Sequence, residues 1–222
     1  MSLKVNEIFY SLQGEGRRSG RPCLFIRLTG CPVRCTYCDT KYAFYEGDIM
    51  EVKEIVNKTI SLIGWPQPGT NAPFVEVTGG EPLAQSDTIS LLSTLVNVGY
   101  EVVLETAGSH DIGSVPCDVF KIVDRKTPDS GAGHCWLDSN LEFLIPDRDE
   151  LKFVLCSRDD YYWAKDWCKT RDIFSRFNVI FSTSSDSSEI VWFADKIVKD
   201  LIHVRFQLQL HKIVWGSDKR GV

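Results

Sequence analysis

The chain has 222 residues, of which 43% are hydrophobic and 25% charged, so it is long and apolar enough to bury a full core. This composition excludes a disordered chain, and no apolar run approaches the roughly 18 residues that a membrane span needs. The formal net charge of −5 is opposite in sign to that of a strongly basic nucleic-acid binder. We therefore expect one domain over residues 1–222, with no nucleic-acid partner and no membrane partner.

Eight cysteines are too few for a disulfide scaffold in a chain of this length. The N-terminus does not show the basic, apolar and small-residue regions of a signal peptide, so we expect a reducing cytoplasm. Five of the cysteines stand singly, and for each of them we expect a packing role: Cys23, Cys117, Cys135, Cys156 and Cys168.

Short β-rich runs alternate with helical patterns along the chain, which is typical of parallel α/β folds. Seven strands are predicted, at residues 22–29, 74–78, 101–105, 119–123, 151–155, 178–182 and 204–210. Apolar residues at three- and four-residue spacing predict helices at 49–63, 84–98, 159–171 and 187–201. Turn-forming residues predict loops at 64–73 and 128–146. Such a chain forms a parallel sheet, either open or part of a barrel, that binds ligands at the carboxyl ends of its strands.

Three cysteines follow the first of these strands closely. In TGCPVRCTYCDT, Cys31, Cys35 and Cys38 have C-x3-C-x2-C spacing. A cubane iron–sulfur cluster that only carries electrons has four thiolate ligands, so three thiolates leave one iron open to a substrate or cofactor. A zinc-binding structural module completed by His110 or His134 is the alternative, although zinc ribbons usually have two C-x2-C pairs.

This spacing, with an aromatic residue before the last cysteine, resembles the motif of the radical S-adenosylmethionine enzymes. TGGEP at 78–82 is similar to their glycine-rich strand end, where backbone without side chains approaches the methionine amino group of the cofactor. The resemblance implies that the three cysteines hold a [4Fe–4S] cluster whose open iron binds S-adenosylmethionine. It also implies a partial (β/α)6 barrel.

Longer blocks resemble the 7-carboxy-7-deazaguanine synthase family over essentially the whole chain. They are EIFYSLQGEGRRSGRPCLFIRLTGCP at 7–32, CDTKYAF at 38–44, TGGEP at 78–82, ETAG at 105–108 and QLHK at 209–212. The resemblance implies a carbon–nitrogen lyase of queuosine (7-deazapurine) biosynthesis that converts 6-carboxy-5,6,7,8-tetrahydropterin into 7-carboxy-7-deazaguanine and ammonia. It further implies assistance by Mg2+, a homodimer, and an electron donor such as a flavodoxin-like protein. A radical S-adenosylmethionine activase that acts on a partner protein is the alternative among enzymes.

Side-chain parity along the predicted strands indicates which residues face the site. In the first strand Leu24, Ile26 and Leu28 share one face, so Arg27 lies on the opposite face and points into the barrel. A guanidinium there can bind a carboxylate through two hydrogen bonds, which matches the carboxyl group of the substrate. Thr78 ends the second strand facing inward by the same argument.

The remaining site residues are implied by the resemblance. Substrate contacts fall on Leu12, Gln13 and Gly14, besides Arg27 and Thr78. Cofactor contacts fall on Tyr37, Cys38, Asp39, Gly80, Asp124, Arg125 and Lys126. Thr40 is the expected Mg2+ contact, and the further candidates are Glu15, Gly79, Glu105, Ser182, His211 and Val222. No catalytic side chain is assigned, because the cofactor supplies the radical.

Overall fold

The structure, a computed structural model, describes residues 1–66, 74–184, 188–217 and 219–222. Within these ranges nine strands form one sheet with the order β3-β1-β2-β4-β5-β6-β7-β8-β9. The strands are β1 (Ser2–Leu12), β2 (Pro22–Leu28), β3 (Asp48–Glu51), β4 (Phe74–Gly79), β5 (Glu101–Thr106), β6 (Phe120–Asp124), β7 (Glu150–Leu155), β8 (Asn178–Thr183) and β9 (Arg205–Gln207). β2 and β4 to β9 pair in parallel, whereas β1 and β3 are antiparallel to their neighbours.

Six α-helices lie in the described part of the chain. They are α1 (Val52–Ile63), α2 (Thr88–Val98), α3 (Arg158–Thr170), α4 (Ile173–Arg176), α5 (Ile190–Asp200) and α6 (Leu210–Trp215). Glu51 and Glu54 form a capping box at the start of α1, and the Ser157 side chain caps α3. None of the helices that could be searched has the length and hydropathy to cross a bilayer.

The two faces of the sheet bury different kinds of side chain. Leu24, Ile26 and Leu28 of β2 pack on the helix side in the main hydrophobic core, as predicted. On the other face Phe25 belongs to a small apolar cluster, and Arg27 lies one pleat further along β2. The helix face therefore supplies most of the hydrophobic stabilisation, and the inner face is available for a polar site.

The sheet is open at β3 and β9, but the loop that follows β1 connects its two halves across the inner face. The backbone N–H of Gly16 donates to Gln207 Oε1 of β9 at 2.8 Å, and the N–H of Leu210 donates to the Gly14 carbonyl at 3.1 Å. The inner face thus encloses a cavity, and the predicted partial barrel of α/β type is confirmed.

Several predicted elements need correction. The strands β1 and β3 were not predicted, because a register shift between Val5 and Glu7 interrupts the alternation in β1. Residues 49–51, predicted as the start of a helix, pair with β1 as part of β3, where Met50 lies opposite Leu3. The helix predicted from residue 84 begins only at Thr88, after a short 3-10 turn.

The chain end also differs from its prediction. The strand predicted over 204–210 ends at Gln207, and α6 begins at Leu210 because the Leu210 N–H is bonded to the loop after β1. The loop at 128–146 has only 3-10 turns, as predicted. Residues 67–73 of the other predicted loop, and residue 187 at the predicted start of α5, lie outside the described residues.

Candidate active site

A cavity of about 430 Å³ occupies the inner face of the sheet. Its walls come from the loop after β1, from the carboxyl ends of β2 and β4 to β7, and from the C-terminal segment. Most predicted site residues line it: Leu12, Gln13, Gly14, Glu15, Arg27, Cys31, Cys35, Tyr37, Cys38, Asp39, Thr40, Thr78, Gly79, Gly80, Glu105, Asp124, Lys126, His211 and Val222. The ligand site therefore lies at the carboxyl ends of the parallel strands, as expected for this architecture.

The cysteine loop, residues 30–41, is anchored by the glycine-rich turn that follows β4. The Glu81 N–H donates to the Gly30 carbonyl at 2.8 Å, and the Gly80 N–H donates to the Leu28 carbonyl at 3.2 Å. A Cβ at position 80 would lie 2.2 Å from the Gly30 carbonyl oxygen and 2.8 Å from Cys31 Cβ. Only glycine permits this close approach, so the turn sets the position of the first cysteine.

The three cysteines of this loop are half-buried and carry free thiols. Burial raises the pKa of the Cys31 thiol to about 11, and the pKa of Cys35 is raised for the same reason. Binding to iron removes these thiol protons, so a cluster would hold both as thiolates. Three thiolates together fit the donor set of a cubane cluster with one open iron.

The geometry gives no support to a single zinc ion at the cysteine loop. Among the residues that the structure describes, no three His, Cys, Asp or Glu side chains converge as one metal ion requires. A cubane binds each cysteine to a different iron, so its ligands need not converge on one point.

Next to the cysteine loop the cavity wall carries buried polar atoms without a partner. The Tyr37 hydroxyl and Asp124 Oδ1 both belong to this group. Lys126 Nζ donates to the other oxygen of Asp124 at 2.8 Å and lies 5.5 Å from the centre of the Tyr37 ring. Burial raises the pKa of Tyr37, so its hydroxyl remains a donor. Buried polar atoms require partners, and these fit a polar ligand such as S-adenosylmethionine.

Arg27 faces the cavity, but its guanidinium is not free. Its Nε donates to Glu7 Oε1 at 2.7 Å, and the Tyr42 hydroxyl donates to the same oxygen at 2.8 Å. Nη1 of Arg27 also donates to the Gly79 carbonyl at 3.5 Å. These contacts orient Arg27, and further N–H groups of its two terminal nitrogens remain for a ligand carboxylate. Neither Glu7 nor Tyr42 was predicted as a site residue, since Glu7 lies on β1, a strand that the sequence pattern did not reveal.

Five charged side chains form a layer across the inner face, which we call the charged layer. They are Glu15, Glu76, Glu105, Asp124 and Lys152. Sequence reasoning did not place Glu76 and Lys152 in the site. The signal was present in both cases, because each is a charged residue with apolar neighbours on both sides in a strand.

Comparison with known proteins agrees with this geometry. The Radical SAM superfamily model matches residues 25–116. A 7-carboxy-7-deazaguanine synthase from Chlorobaculum tepidum is 41% identical over 99% of this chain and 97% of its own length. One from Koribacter versatilis is 38% identical over 99% of this chain and 100% of its own. This chain belongs to the 7-carboxy-7-deazaguanine synthase family.

Structural comparison supports the same membership. A crystal structure of QueE from Escherichia coli superimposes with a TM-score of 0.75, at 25% sequence identity and with 95% of each chain covered. Members of this family are radical S-adenosylmethionine enzymes that use a [4Fe–4S] cluster, so the predicted fold and cofactors are confirmed.

The C-terminal segment of this synthase-family chain contacts both the cysteine loop and the loop after β1. Lys212 Nζ lies 2.6 Å from Asp39 Oδ2. Although partial burial alone would raise it, Lys212 lowers the pKa of Asp39 to about 2. His211 packs so closely on Gly14 that a Cβ there would lie 2.4 Å from its Nδ1. The predicted site residues Gly14 and His211 are therefore in contact, and His211 belongs to helix α6 instead of following a strand.

Two predicted site residues do not reach the cavity. Asp124 faces inward, so Arg125, the next residue, projects to the opposite face. Its guanidinium lies 4.9 to 5.6 Å from three indole rings and donates to the Gly133 carbonyl at 2.8 Å. The Oγ of Ser182 is buried without a partner and does not contribute to the cavity lining. The Arg125 side chain and Ser182 therefore do not line the cavity, and cofactor contact by residue 125 stays a prediction.

Proposed function

We propose that this chain converts 6-carboxy-5,6,7,8-tetrahydropterin into 7-carboxy-7-deazaguanine and ammonia in queuosine biosynthesis. One observation carries the proposal: a single cavity is lined both by the cysteine loop and by an oriented arginine with amide and carboxylate groups around it. The first feature suits radical chemistry, and the second suits a small substrate with a carboxylate and a hydrogen-bonding ring. Family membership supports the same reaction.

We assign the cofactors to the side of the cavity that holds the cysteine loop. Cys31, Cys35 and Cys38 would hold the cluster, and Tyr37, Asp39, Gly80, Asp124 and Lys126 would contact S-adenosylmethionine. When bound, these groups supply a 5′-deoxyadenosyl radical that removes a hydrogen atom from the substrate. The chain contributes the position of the reactants and the exclusion of water.

The substrate is assigned to the rest of the cavity. Arg27, held by Glu7, binds the carboxylate of the pterin. Gln13, Glu15 and Thr78 line the same cavity and would form hydrogen bonds with the donors and acceptors of the pterin edge. With both ends bound, the ring can be presented to the cofactor in one orientation.

Mg2+ is assigned to Thr40. Its hydroxyl donates to Asp39 Oδ1 at 2.8 Å, and its oxygen lies in the cavity wall. Mg2+ takes oxygen ligands and usually keeps several waters, so substrate oxygens and water would complete the shell. The ion would neutralise the substrate carboxylate together with Arg27.

We further infer a cytoplasmic homodimer that receives electrons from a flavodoxin-like protein. The exposed Arg34 of the cysteine loop gives an acidic reductant a positive contact beside the cluster. The family resemblance supports the homodimer.

The test is anaerobic reconstitution with iron and sulfide, followed by incubation with reductant, Mg2+, S-adenosylmethionine and the carboxytetrahydropterin. We expect brown protein, stoichiometric deazaguanine product and released ammonia, measured by mass spectrometry. An intact cluster that cleaves the cofactor but yields no deazapurine would refute the assignment and favour an activase. Colourless protein that contains zinc would refute the radical chemistry itself.

A further inference from the structure

Lys152 lies in the middle of the charged layer, where carboxylates from three other elements converge on one amino group. Its Nζ donates to Glu15 Oε2 at 2.7 Å and also to Glu105 Oε1, and it lies 3.5 Å from Asp124 Oδ2. The Lys152 side chain is 4% exposed. Burial of a lysine with its anionic neighbours costs free energy of desolvation. Packing does not require a charge at this position, because the neighbours of Lys152 in β7, Leu151 and Phe153, are apolar.

The charges in the layer depend on one another. Burial alone would lower the pKa of Lys152, but Glu105, Glu15 and Asp124 raise it well above its usual value. Burial would likewise raise the pKa of Glu15, yet Lys152 and a hydrogen bond from Gln209 lower it. Lys152 therefore stays protonated and keeps Glu15 ionised in a place where an isolated carboxylate would take up a proton.

Glu76 lies in the same layer, but its pKa is shifted in the opposite direction to that of Glu15. Burial and the neighbouring Glu105 raise the pKa of Glu76 well above its usual value. Gln13 Nε2 donates to Glu76 Oε2, and Gln13 Oε1 accepts from the Glu15 backbone N–H at 3.1 Å. Glu76 thus holds Gln13, and Lys152 holds the carboxylate two residues further along the same loop.

We propose that Lys152 is a positioning residue that orients the Glu15 and Glu105 side chains as acceptors for the N–H donors of the substrate ring. The inference rests on the proposed function, which supplies a reduced pterin with such donors. Hydrogen bonds to a carboxylate are stronger than those to a neutral acid, and they need the carboxylate held in one orientation. Lys152 does not need to touch the substrate to have this effect.

The test measures equilibrium binding of the carboxytetrahydropterin to the reconstituted enzyme with S-adenosylmethionine bound, across about pH 6 to 9. Lys152→Met keeps the length of the side chain and removes its charge. We expect its dissociation constant to rise roughly 10- to 100-fold at neutral pH. Because loss of the cation raises the pKa of Glu15, affinity should recover as the pH rises.

Other charged groups face the same cavity, so the pH profile must be read against them. They are Arg27 from β2, Asp39 of the cysteine loop, Lys126 after β6, His211 and Lys212 from α6, Lys219 and Arg220 of the C-terminal segment, and the carboxylates of the charged layer. Lys152→Arg retains the positive charge with a different shape. We expect the dissociation constant of Lys152→Arg to lie between those of the parent and of Lys152→Met, and to change little with pH. If His211 caused the pH dependence of Lys152→Met, Lys152→Arg would not remove it.

Lys121 provides a matched control one strand away. It is 3% exposed and forms an ion pair with the buried Asp149 at 2.8 Å, but it lies outside the cavity lining. Lys121→Met should lower stability without changing the dissociation constant or its pH profile. A Lys152→Met enzyme with the pH profile of the parent would overturn the positioning role, as would an equal effect of Lys121→Met.

A further measurement keeps the inference testable if Lys152→Met does not fold. The infrared spectrum of the unsubstituted protein should contain carboxylic acid absorption at neutral pH that Glu76→Gln reduces, and Lys152→Arg should retain that absorption. Its absence from the unsubstituted protein would contradict the charge arrangement. Failure of the unsubstituted enzyme to form deazaguanine would instead refute the proposed function, so the two failures are distinguishable.

Discussion

The cysteine loop and the charged layer face the same cavity but are built in different ways. The cysteine loop is a continuous segment, residues 30–41, and backbone hydrogen bonds hold it in place: the Glu81 N–H donates to the Gly30 carbonyl, and the Thr36 N–H donates to the Ser130 carbonyl. The charged layer takes single side chains from the loop after β1 and from four strands. The proposed cofactor site therefore depends on local spacing, whereas the proposed substrate site depends on the register of the sheet.

The largest effect is expected from Cys35→Ala. Removal of one of three thiolates should abolish the cluster and all product formation, because Cys31 and Cys38 are the only other cysteines of the loop and two thiolates cannot replace three. Iron content and visible absorbance measure the loss. The charged layer should be unaffected, so circular dichroism should match that of the parent protein. Retention of a stable cluster would show that the two regions are not built as described.

Gly80→Ala should be nearly as damaging as loss of a thiolate. The added Cβ would lie 2.2 Å from the Gly30 carbonyl oxygen, and that backbone cannot move without displacing Cys31. We expect substoichiometric iron and product formation at least about 10-fold lower, because strain of roughly 1 to 3 kcal/mol falls on the cysteine loop. Gly20→Ala is a control for backbone strain without a steric clash, since the φ of Gly20 is +85° and nothing lies within 4 Å of a Cβ there. Normal iron loading of Gly80→Ala would contradict the close approach.

Arg27→Ala is expected to weaken substrate binding and to leave the function of the cysteine loop intact. The cluster and reductive cleavage of S-adenosylmethionine should remain, while the substrate dissociation constant rises roughly 10- to 100-fold, because a charge-assisted hydrogen-bond pair is lost. Binding and cleavage are measured separately on the same preparation. Unchanged substrate affinity would show that Arg27 does not bind the carboxylate.

Glu101→Gln should have the smallest effect, since it lies at the opposite end of the strands from the cysteine loop. Hydrogen bonds and ion pairs with Arg18 and Arg21 lower the pKa of Glu101, although its partial burial opposes this. A carboxyl group whose pKa is lower in the folded state stabilises the fold above its unfolded pKa and loses this effect as the pH falls.

The parent should therefore exceed Glu101→Gln in stability by up to about 1 kcal/mol at neutral pH. The difference should shrink below about pH 4, where the unfolded carboxyl takes up its proton. Urea unfolding at several pH values measures it. A difference that grows with acidity would contradict the sign of the shift, and substrate binding should not change at any pH.

These regions also differ in how far the sequence could predict them. The inward position of Arg27 followed from period-two alternation, which is fixed by strand geometry. The same rule excludes Arg125 from the cavity, since it follows the inward-facing Asp124. Glu7 escaped prediction because the register shift in β1 hides the alternation of that strand.

Sequence reasoning predicted the cysteine loop, the glycine at position 80 and the seven parallel strands, because each depends on local spacing or on periodicity. Only the tertiary structure decided which charges meet on the inner face. Lys152 reaches Glu15 across 137 positions of the chain. The strand predicted as far as residue 210 ends at Gln207, and the Leu210 N–H donates to the Gly14 carbonyl instead. Contacts of this kind arise from the curvature and register of the whole sheet, which no local pattern specifies.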